Sequence, residues 1–339
     1  MADKNFKKPD TNRVTMADVG RLAGVTQVTV SRALSHPDKV SKKTLHSIQD
    51  AIAATGFVPN AVAGALASKR SKLVSALIPS LTNVVYTSFM ATFSEHLRQN
   101  GYQVLMSETG FDPANEDALI ATHLSRRPDA MLLTGVRHSD KARKQLQGAG
   151  IPVVEIWDIT DIPIDICVGF NHSAAGRAVA EYLNAKGHSF AATITADDER
   201  ALRRQSAFAE RFSTFSRTTV PDANTGGIAS IGAGREAMAH LIDQYGFQSG
   251  AVFCSSDLSA HGAIIELRTR GLKVPQDVAV VGFGDQDFAR DIDPALTTVA
   301  VDRLQLGHLA ASSLLDRLTG QPTKSIHDLG FEILTRASA

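Results

Sequence analysis

The chain has 339 residues, of which 43% are hydrophobic, so it can bury a sizeable core and is predicted to form more than one domain. Its formal net charge is zero, but residues 1–72 hold twelve Lys or Arg against five Asp or Glu, which leaves an acidic excess on the remainder. The amino-terminal segment is therefore basic. Nucleic acid or another anionic surface is favoured as its partner.

The sequence carries no signal for export, membrane insertion or metal binding. No apolar run reaches the roughly 18 residues of a membrane span, and no hydrophobic stretch opens the chain. Cys167 and Cys254 lie far apart among apolar neighbours, which favours buried reduced thiols, and the histidines show no metal-ligand spacing. We therefore expect a cytoplasmic protein with no metal site, no cofactor and no membrane partner.

Residues 14–58 show the pattern of three short helices. Thr15 and Asp18 resemble a capping box at the start of the first helix, Gly24 supplies a turn, and the second helix begins near Thr26. A third helix is predicted over residues 41–55. Apolar residues at helical spacing would form a common core: Val19, Leu22, Ala23, Val25, Val28, Ala33, Leu45, Ile48 and Ile52.

The second helix also carries polar residues that are able to face outward: Gln27, Thr29, Ser31 and Arg32. A helix-turn-helix protein reads DNA bases with such a face. An ordinary helical hairpin has the same periodicity and remains the alternative at this point.

The segment closely resembles the DNA-binding domain of LacI-family transcriptional repressors, without a gap from Val14 through residues 56–60 to Leu66. The resemblance implies that the second helix enters the major groove, where Gln27 and Val28 set the sequence preference. The full set of expected DNA-binding residues is Thr15, Thr26, Gln27, Val28, Thr29, Ser31, Arg32, Ser41, Asn60, Ala63 and Leu66.

Within the predicted hinge and linker, residues 59–72, the run from Pro59 to Ala67 consists mostly of small residues and would otherwise indicate a linker. In the resembling family this run is a hinge that becomes helical on operator DNA and inserts a leucine into the minor groove, and Leu66 takes that position. The run is too short to hold a helix in water, and Gly64 weakens it further, so the hinge can act as a switch. Residues 1–13 form a polar, basic stretch that contains a proline, and we predict that they are a disordered arm.

From Leu73 onward, short apolar runs alternate with helical patterns, as they do in parallel α/β sheets. The predicted strands are Leu73–Ile78, Gln103–Met106, Ala130–Thr134, Val153–Ile156, Ile166–Val168, Ala191–Thr195, Ala251–Cys254 and Val278–Gly282. The predicted helices include Tyr86–Asn100, Ser173–Lys186, Arg235–Tyr245 and Ser259–Arg270.

Polar residues follow several of these strands, at the sheet edge where α/β proteins bind ligands. Each of them alone is usually a helix cap or a solvated loop residue. Together with Tyr86 they outline a cleft: Ser80, Asn83, Asp158, Arg200, Arg204, Asp257 and Asp285.

The resemblance to the LacI family extends over this region and implies a two-lobed α/β core with parallel sheets, similar to periplasmic binding proteins. One lobe would contain residues 73–169 and 300–330, and the other residues 170–299 and 331–339, with a ligand between them. By position, Arg204 corresponds to the family's ligand-binding arginine and Asp158 to an aspartate after the fourth strand. Gly284 replaces the aspartate that many family members use to bind neutral sugars.

Several stretches resemble the branch of the family that senses gluconate and ketogluconate: residues 78–83, 150–155, 168–170, 256–257, 271–275 and 328–331. A sugar acid fits the candidate site, because Arg204 or Arg200 can hold a carboxylate bidentately. Asn83, Asp158, Asp257 and Asp285 would then bind hydroxyl groups.

The resemblance therefore implies a homodimeric repressor of sugar-acid genes that binds palindromic double-stranded operator DNA and leaves it when gluconate or 2-ketogluconate closes the cleft. A different carbohydrate effector, or a ligand that acts as a corepressor, is the open alternative. An enzyme is disfavoured because the sequence lacks GxxxxGK[ST] and GxGxxG. A transport binding protein would have no use for residues 14–66.

Overall fold

A computed structural model describes residues 14–60, 64–65, 70–81, 84–110 and 113–339. The chain divides into two compact units, Met1–Ser71 and Lys72–Ala339, called here the first and the second unit. The predicted basic arm, Ala63, Leu66 and Asn83 lie outside the described residues.

The first unit contains helices α1 (Met16–Ala23), α2 (Gln27–Ser35) and α3 (Lys42–Thr55), with a 3-10 turn at Pro37–Lys39. The predicted capping box is confirmed. The Thr15 hydroxyl accepts from the Asp18 N–H at 3.3 Å, and the Asp18 carboxylate accepts from the Thr15 N–H at 3.0 Å. Gly24 ends α1 in the left-handed region, with φ of +67°.

The three helices enclose a small core of Val19, Val30, Ala33, Ile48, Ala51 and Phe57. The packing predicted for Leu22 and Val28 is wrong, because their side chains are 59% and 66% exposed. Residues two apart in a helix point in nearly opposite directions. Val30 therefore takes the inward position on α2 and Val28 faces outward.

The second unit holds two six-stranded sheets. The first has the order β11-β5-β4-β3-β1-β2 and the second the order β12-β10-β9-β8-β6-β7, in which only the β10–β12 pair is antiparallel among the described residues. The strands are β1 (Leu73–Ile78), β2 (Gln103–Glu108), β3 (Ala130–Thr134), β4 (Val153–Ile156), β5 (Ile166–Gly169), β6 (Ala191–Thr195), β7 (Asp222–Asn224), β8 (Gly250–Cys254), β9 (Val278–Phe283), β10 (Thr297–Ala300), β11 (Ile326–Asp328) and β12 (Glu332–Leu334).

Helices cover both faces of each sheet, which explains why the central strands are apolar along their whole length. The helices are α4 (Val84–Gln99), α5 (Pro113–Leu124), α6 (Asp140–Ala149), α7 (His172–Ala185), α8 (Glu199–Ser216), α9 (Ile231–Tyr245), α10 (Asp257–Thr269) and α11 (Arg303–Thr319). Every strand predicted from the sequence is present, with bounds that agree within two residues.

Each sheet and its helices form one lobe. Lobe 1 contains β1–β5, α4–α6, α11 and β11, and lobe 2 contains α7–α10, β6–β10 and β12. The chain passes between the lobes after β5, after β10 and after β11, each time through two or three residues. Among the described residues, no helix is both long and apolar enough to cross a membrane.

Candidate DNA-reading helix and effector cleft

Helix α2 presents an exposed face beside its amino terminus. Thr26 caps the helix by accepting from the Thr29 N–H at 3.3 Å, so these two hydroxyl side chains stabilise the first turn. Gln27, Ser31 and Arg32 are exposed next to Val28. An exposed apolar side chain among donors and acceptors suits the major groove, where thymine presents a methyl group beside hydrogen-bonding base edges.

Three of the predicted DNA-binding residues share a second property, because each caps a helix: Thr15 on α1, Thr26 on α2 and Ser41 on α3. A helix amino terminus directs unpaired backbone N–H groups outward and favours phosphate. At α3 this end also carries the exposed Lys42 and Lys43. Asn60, the second residue of the predicted hinge, is exposed as well.

The second unit contains a cavity of about 380 Å³, called here the cleft cavity, which residues from both lobes line. Lobe 1 contributes aromatic walls through Tyr86, Trp157 and Phe170. Lobe 2 contributes Arg200 and Arg204 from α8, together with residues at the ends of its strands. This is the carboxyl edge of both sheets, where parallel α/β proteins bind ligands.

Arg204 lies at the base of the cavity and is only 5% exposed. Its Nη1 donates to Nδ1 of His172 at 2.8 Å, its Nη2 donates to the Ser255 carbonyl at 3.1 Å, and its guanidinium stacks 3.8 Å from the ring centroid of Phe283. Its Nε is buried without a partner among the described residues. Burial lowers the pKa of Arg204 to about 10, so the side chain remains charged at neutral pH.

His172 acts as a neutral link between Arg204 and the cavity wall. Because Arg204 has only donors, Nδ1 of His172 accepts, and Nε2 therefore carries the proton and donates to the Trp157 carbonyl at 2.7 Å. Burial and the neighbouring Arg204 hold the pKa of His172 well below its usual range. The imidazole thus fixes the position of Arg204 without adding a charge.

Trp157 has an unusual backbone for a residue other than glycine, with φ of +67°. Its N–H donates to the Val168 carbonyl at 3.1 Å, which ties it to β5. Gly169 permits this close approach, because a Cβ there would lie 2.3 Å from the backbone nitrogen of Asp158. The indole Nε1 is buried and has no hydrogen-bond partner among the described residues.

The structure does not bring the three predicted carboxylates into the cleft cavity, because each is held by a nearby partner. Asp158 forms an ion pair with Arg203 across the lobes. Asp257 accepts from the Thr298 hydroxyl at 2.5 Å and from a backbone N–H at 2.7 Å, and burial raises its pKa to about 6. Asp285 pairs with Arg336 at 2.7 Å.

Of the other predicted residues, Tyr86, Arg200 and Arg204 line the cavity, whereas Ser80 is buried outside it. Gly284 lines the wall as well, so no side chain projects from that position. Sequence reasoning did not select Trp157 or His172. The available signals were that Trp157 is the only tryptophan and directly follows a strand, and that His172 begins the helix after β5.

Ion pairs and hydrogen bonds join the lobes around the cavity. Arg200 of lobe 2 donates to the Tyr86 hydroxyl of lobe 1 at 2.9 Å. Glu199, beside it on α8, pairs across the lobes with Arg137 of lobe 1, with Oε1 and Nε 3.0 Å apart, and within α8 with Arg203 at 2.7 Å. Charged side chains near the cleft cavity therefore contribute to the contacts between the lobes.

These features define a class of protein, namely a DNA-binding regulator with a helix-turn-helix unit and a two-lobed α/β unit. The protein-family model for bacterial regulatory proteins of the lacI family matches residues 15–60. The protein-family model for a periplasmic binding protein-like domain matches residues 180–339. The chain belongs to the LacI family and is a DNA-binding transcriptional regulator.

Individual relatives match over nearly the full chain. The regulator GntR of Pseudomonas aeruginosa is 34% identical over 99% of this chain and 98% of its own length. The crystal structure of a LacI-family regulator from Silicibacter pomeroyi is 30% identical, with a TM-score of 0.90 over 96% of this chain and 99% of that one. The lac repressor dimer bound to operator is 25% identical, with a TM-score of 0.83 over 96% and 99%.

Proposed function

We propose that this regulator represses genes of sugar-acid metabolism and leaves its operator when gluconate or 2-ketogluconate occupies the cleft cavity. The observation that carries the proposal is Arg204, a buried cation whose hydrogen bonds among the described residues go to uncharged groups, the His172 imidazole and the Ser255 carbonyl. A buried charge without a counterion is unfavourable. A ligand carboxylate would supply that counterion.

The cavity suits a small polar ligand in size and lining. Its volume of about 380 Å³ lies near the lower end of the range for small-molecule sites. Tyr86, Trp157 and Phe283 offer apolar faces for C–H groups, and the arginines offer donors for oxygen atoms. The similarity to GntR, with which the chain shares 34% identity, supports a gluconate-type effector.

The ligand would act through the lobe arrangement. It can change operator affinity only if it binds one arrangement of the lobes more tightly than another. Because contacts such as Arg137–Glu199 and Tyr86–Arg200 cross the lobes beside the cavity, a ligand there competes with or reinforces them. We propose that the resulting movement reaches DNA through residues 59–72, which lose their helical pairing and release the operator.

On DNA, two copies of the chain would place two α2 helices in successive major grooves of a palindrome. Gln27 and Val28 would read bases, with Arg32 nearby, and the helix caps Thr15, Thr26 and Ser41 would bind phosphates together with Thr29 and Ser31. The lac repressor, with a TM-score of 0.83, is a dimer on its operator, which supports this assembly.

The test uses purified full-length protein and a palindromic operator selected from a randomised duplex library. Calorimetry should show binding of gluconate or 2-ketogluconate and none of glucose, and gel retardation should show that the bound acid releases the operator. Failure of 2-ketogluconate, 5-ketogluconate, gluconate and 6-phosphogluconate to bind would contradict the sugar-acid proposal. If the acid increased the affinity for the operator in this gel retardation assay, it would act as a corepressor.

A further inference from the structure

The indole of Trp157 has a buried hydrogen-bond donor, Nε1, that pairs with no acceptor among the described residues. Trp157 lines the cleft cavity and is 6% exposed, and its Nε1 has no partner among the described residues. Buried indole N–H groups usually find an acceptor, since leaving one unpaired is unfavourable. The missing acceptor is therefore expected from a molecule that enters the cavity.

The surrounding backbone holds the ring in place. The left-handed conformation of Trp157 is secured by its N–H bond to Val168, by the His172 imidazole on its carbonyl, and by the close packing of Gly169. The ring also meets Tyr86 edge to face, with centroids 6.0 Å apart. A strained backbone that several neighbours maintain is typical of functional sites.

A second unpaired donor belongs to Arg204, another residue that lines the cavity, and it bears on the chemistry of the ligand. Nε of Arg204 is buried and unpaired, and Arg204 is connected to the Trp157 carbonyl through His172. Indole and guanidinium groups only donate hydrogen bonds. An acceptor-only group such as a carboxylate would satisfy these donors better than a hydroxyl, which also has a proton to place.

We propose that Trp157 is the residue that distinguishes an acid from a neutral sugar, by donating its indole N–H to the ligand carboxylate held by Arg204. The inference rests on the proposed sugar-acid function and goes further by assigning one protein atom to the acid end. It assigns no such role to Asp158, Asp257 or Asp285, whose carboxylates have protein partners.

The experiment exploits the single tryptophan of the chain, which makes biosynthetic replacement specific to one position. One preparation carries benzothienylalanine, in which sulfur replaces the indole N–H at nearly unchanged ring size. The matched control carries 4-fluorotryptophan, which keeps the N–H. The variant Trp157→Phe adds a form that is simple to produce, and calorimetry with gluconate and with neutral glucitol measures affinity.

Loss of a hydrogen bond to a charged group should weaken gluconate binding at least tenfold in the benzothienylalanine protein and in Trp157→Phe. The 4-fluorotryptophan protein should bind gluconate within about twofold of the unmodified protein, and the emission of unmodified Trp157 should change on titration. Glucitol should bind weakly to all forms.

Gluconate binding by the benzothienylalanine protein within about twofold of the unmodified protein would overturn the inference. The inference would also be overturned if calorimetry showed gluconate binding to the unmodified protein while the fluorescence emission of Trp157 stayed unchanged. Absence of acid binding by the unmodified protein would instead refute the proposed function, and the role of Trp157 with it.

Discussion

The first and second units place their candidate functional residues in different ways. In the first unit, the candidate base-reading residues lie within one exposed helix, from Gln27 to Arg32, and follow one another in the sequence. In the second unit, the cavity gathers side chains that are distant in the sequence, among them Tyr86, Trp157 and Arg204. A local site can be identified from a motif, whereas a gathered site depends on which side chains the fold turns inward.

The largest effect is expected when Arg204, the buried cation of the second unit, is removed. Arg204→Met should weaken sugar-acid binding at least 100-fold, or about 3 kcal/mol, because a charge-assisted contact is lost in a buried site. Calorimetry measures the change. The control Arg211→Ala removes an arginine from the same helix that pairs with Glu181 at the surface, and it should leave the affinity unchanged. Equal losses in both variants would refute a specific role for Arg204.

The buried histidine His138 should make the stability of the second unit depend on pH. Burial opposes protonation of His138, but hydrogen bonds and charges from Glu116 and Glu155 outweigh it and raise the pKa of His138 to about 9. Its stabilisation is therefore full below the unfolded pKa near 6.5 and disappears as the pH rises through 9.

The free energy of unfolding of the second unit should fall by about 2 kcal/mol between pH 7 and 9. Urea titrations followed by Trp157 emission report this unit. His138→Gln should flatten the profile, and a profile that falls equally in that variant would rule out His138 as the cause.

In the first unit, Gln27→Ala should lower operator affinity about tenfold relative to random duplex, because a good base contact contributes about 1–3 kcal/mol of discrimination. Gel retardation at fixed salt measures the ratio, since phosphate binding depends strongly on ionic strength. Gln49→Ala alters another exposed glutamine of this unit, on α3, and should have no effect. A loss that is equal on operator and random DNA would show that Gln27 does not read bases.

The smallest expected effect concerns the contacts between the lobes. Glu199→Gln removes the ion pairs with Arg137 and Arg203, which are partly exposed, so sugar-acid affinity should fall about threefold as the lobes open more readily. Glu181→Gln breaks an ion pair within lobe 2 and serves as the control in the same calorimetric assay. An unchanged affinity in Glu199→Gln would show that these pairs do not bias the closure of the lobes.

Much of the fold could be predicted from the sequence, because caps and apolar periodicity are local properties. The Thr15 capping box and the central strands are examples. The three-residue strands β7, β11 and β12 were not predicted, since so few residues show no alternation that separates them from loops. Val28 and Val30 show the limit within a helix, where an error of two positions exchanges the buried and exposed faces.

The cleft was predictable in position but not in composition. Residues after strands were expected to reach it, and Arg200 and Arg204 do. Asp158, Asp257 and Asp285 do not, because Arg203, Thr298 and Arg336 hold them, and those partners come from elements distant in the sequence. Charge alone indicates a polar site, whereas the partner of each charge depends on tertiary structure.

The three short chain passages between the lobes have a mechanical consequence. A single flexible connection would let the lobes tumble against each other, but three short connections of two or three residues leave essentially one bending coordinate. Under the proposed function, a ligand in the cavity of about 380 Å³ would therefore rotate one lobe against the other along this coordinate. Because the three connections are short, they would also limit how far the lobes of the second unit can rotate.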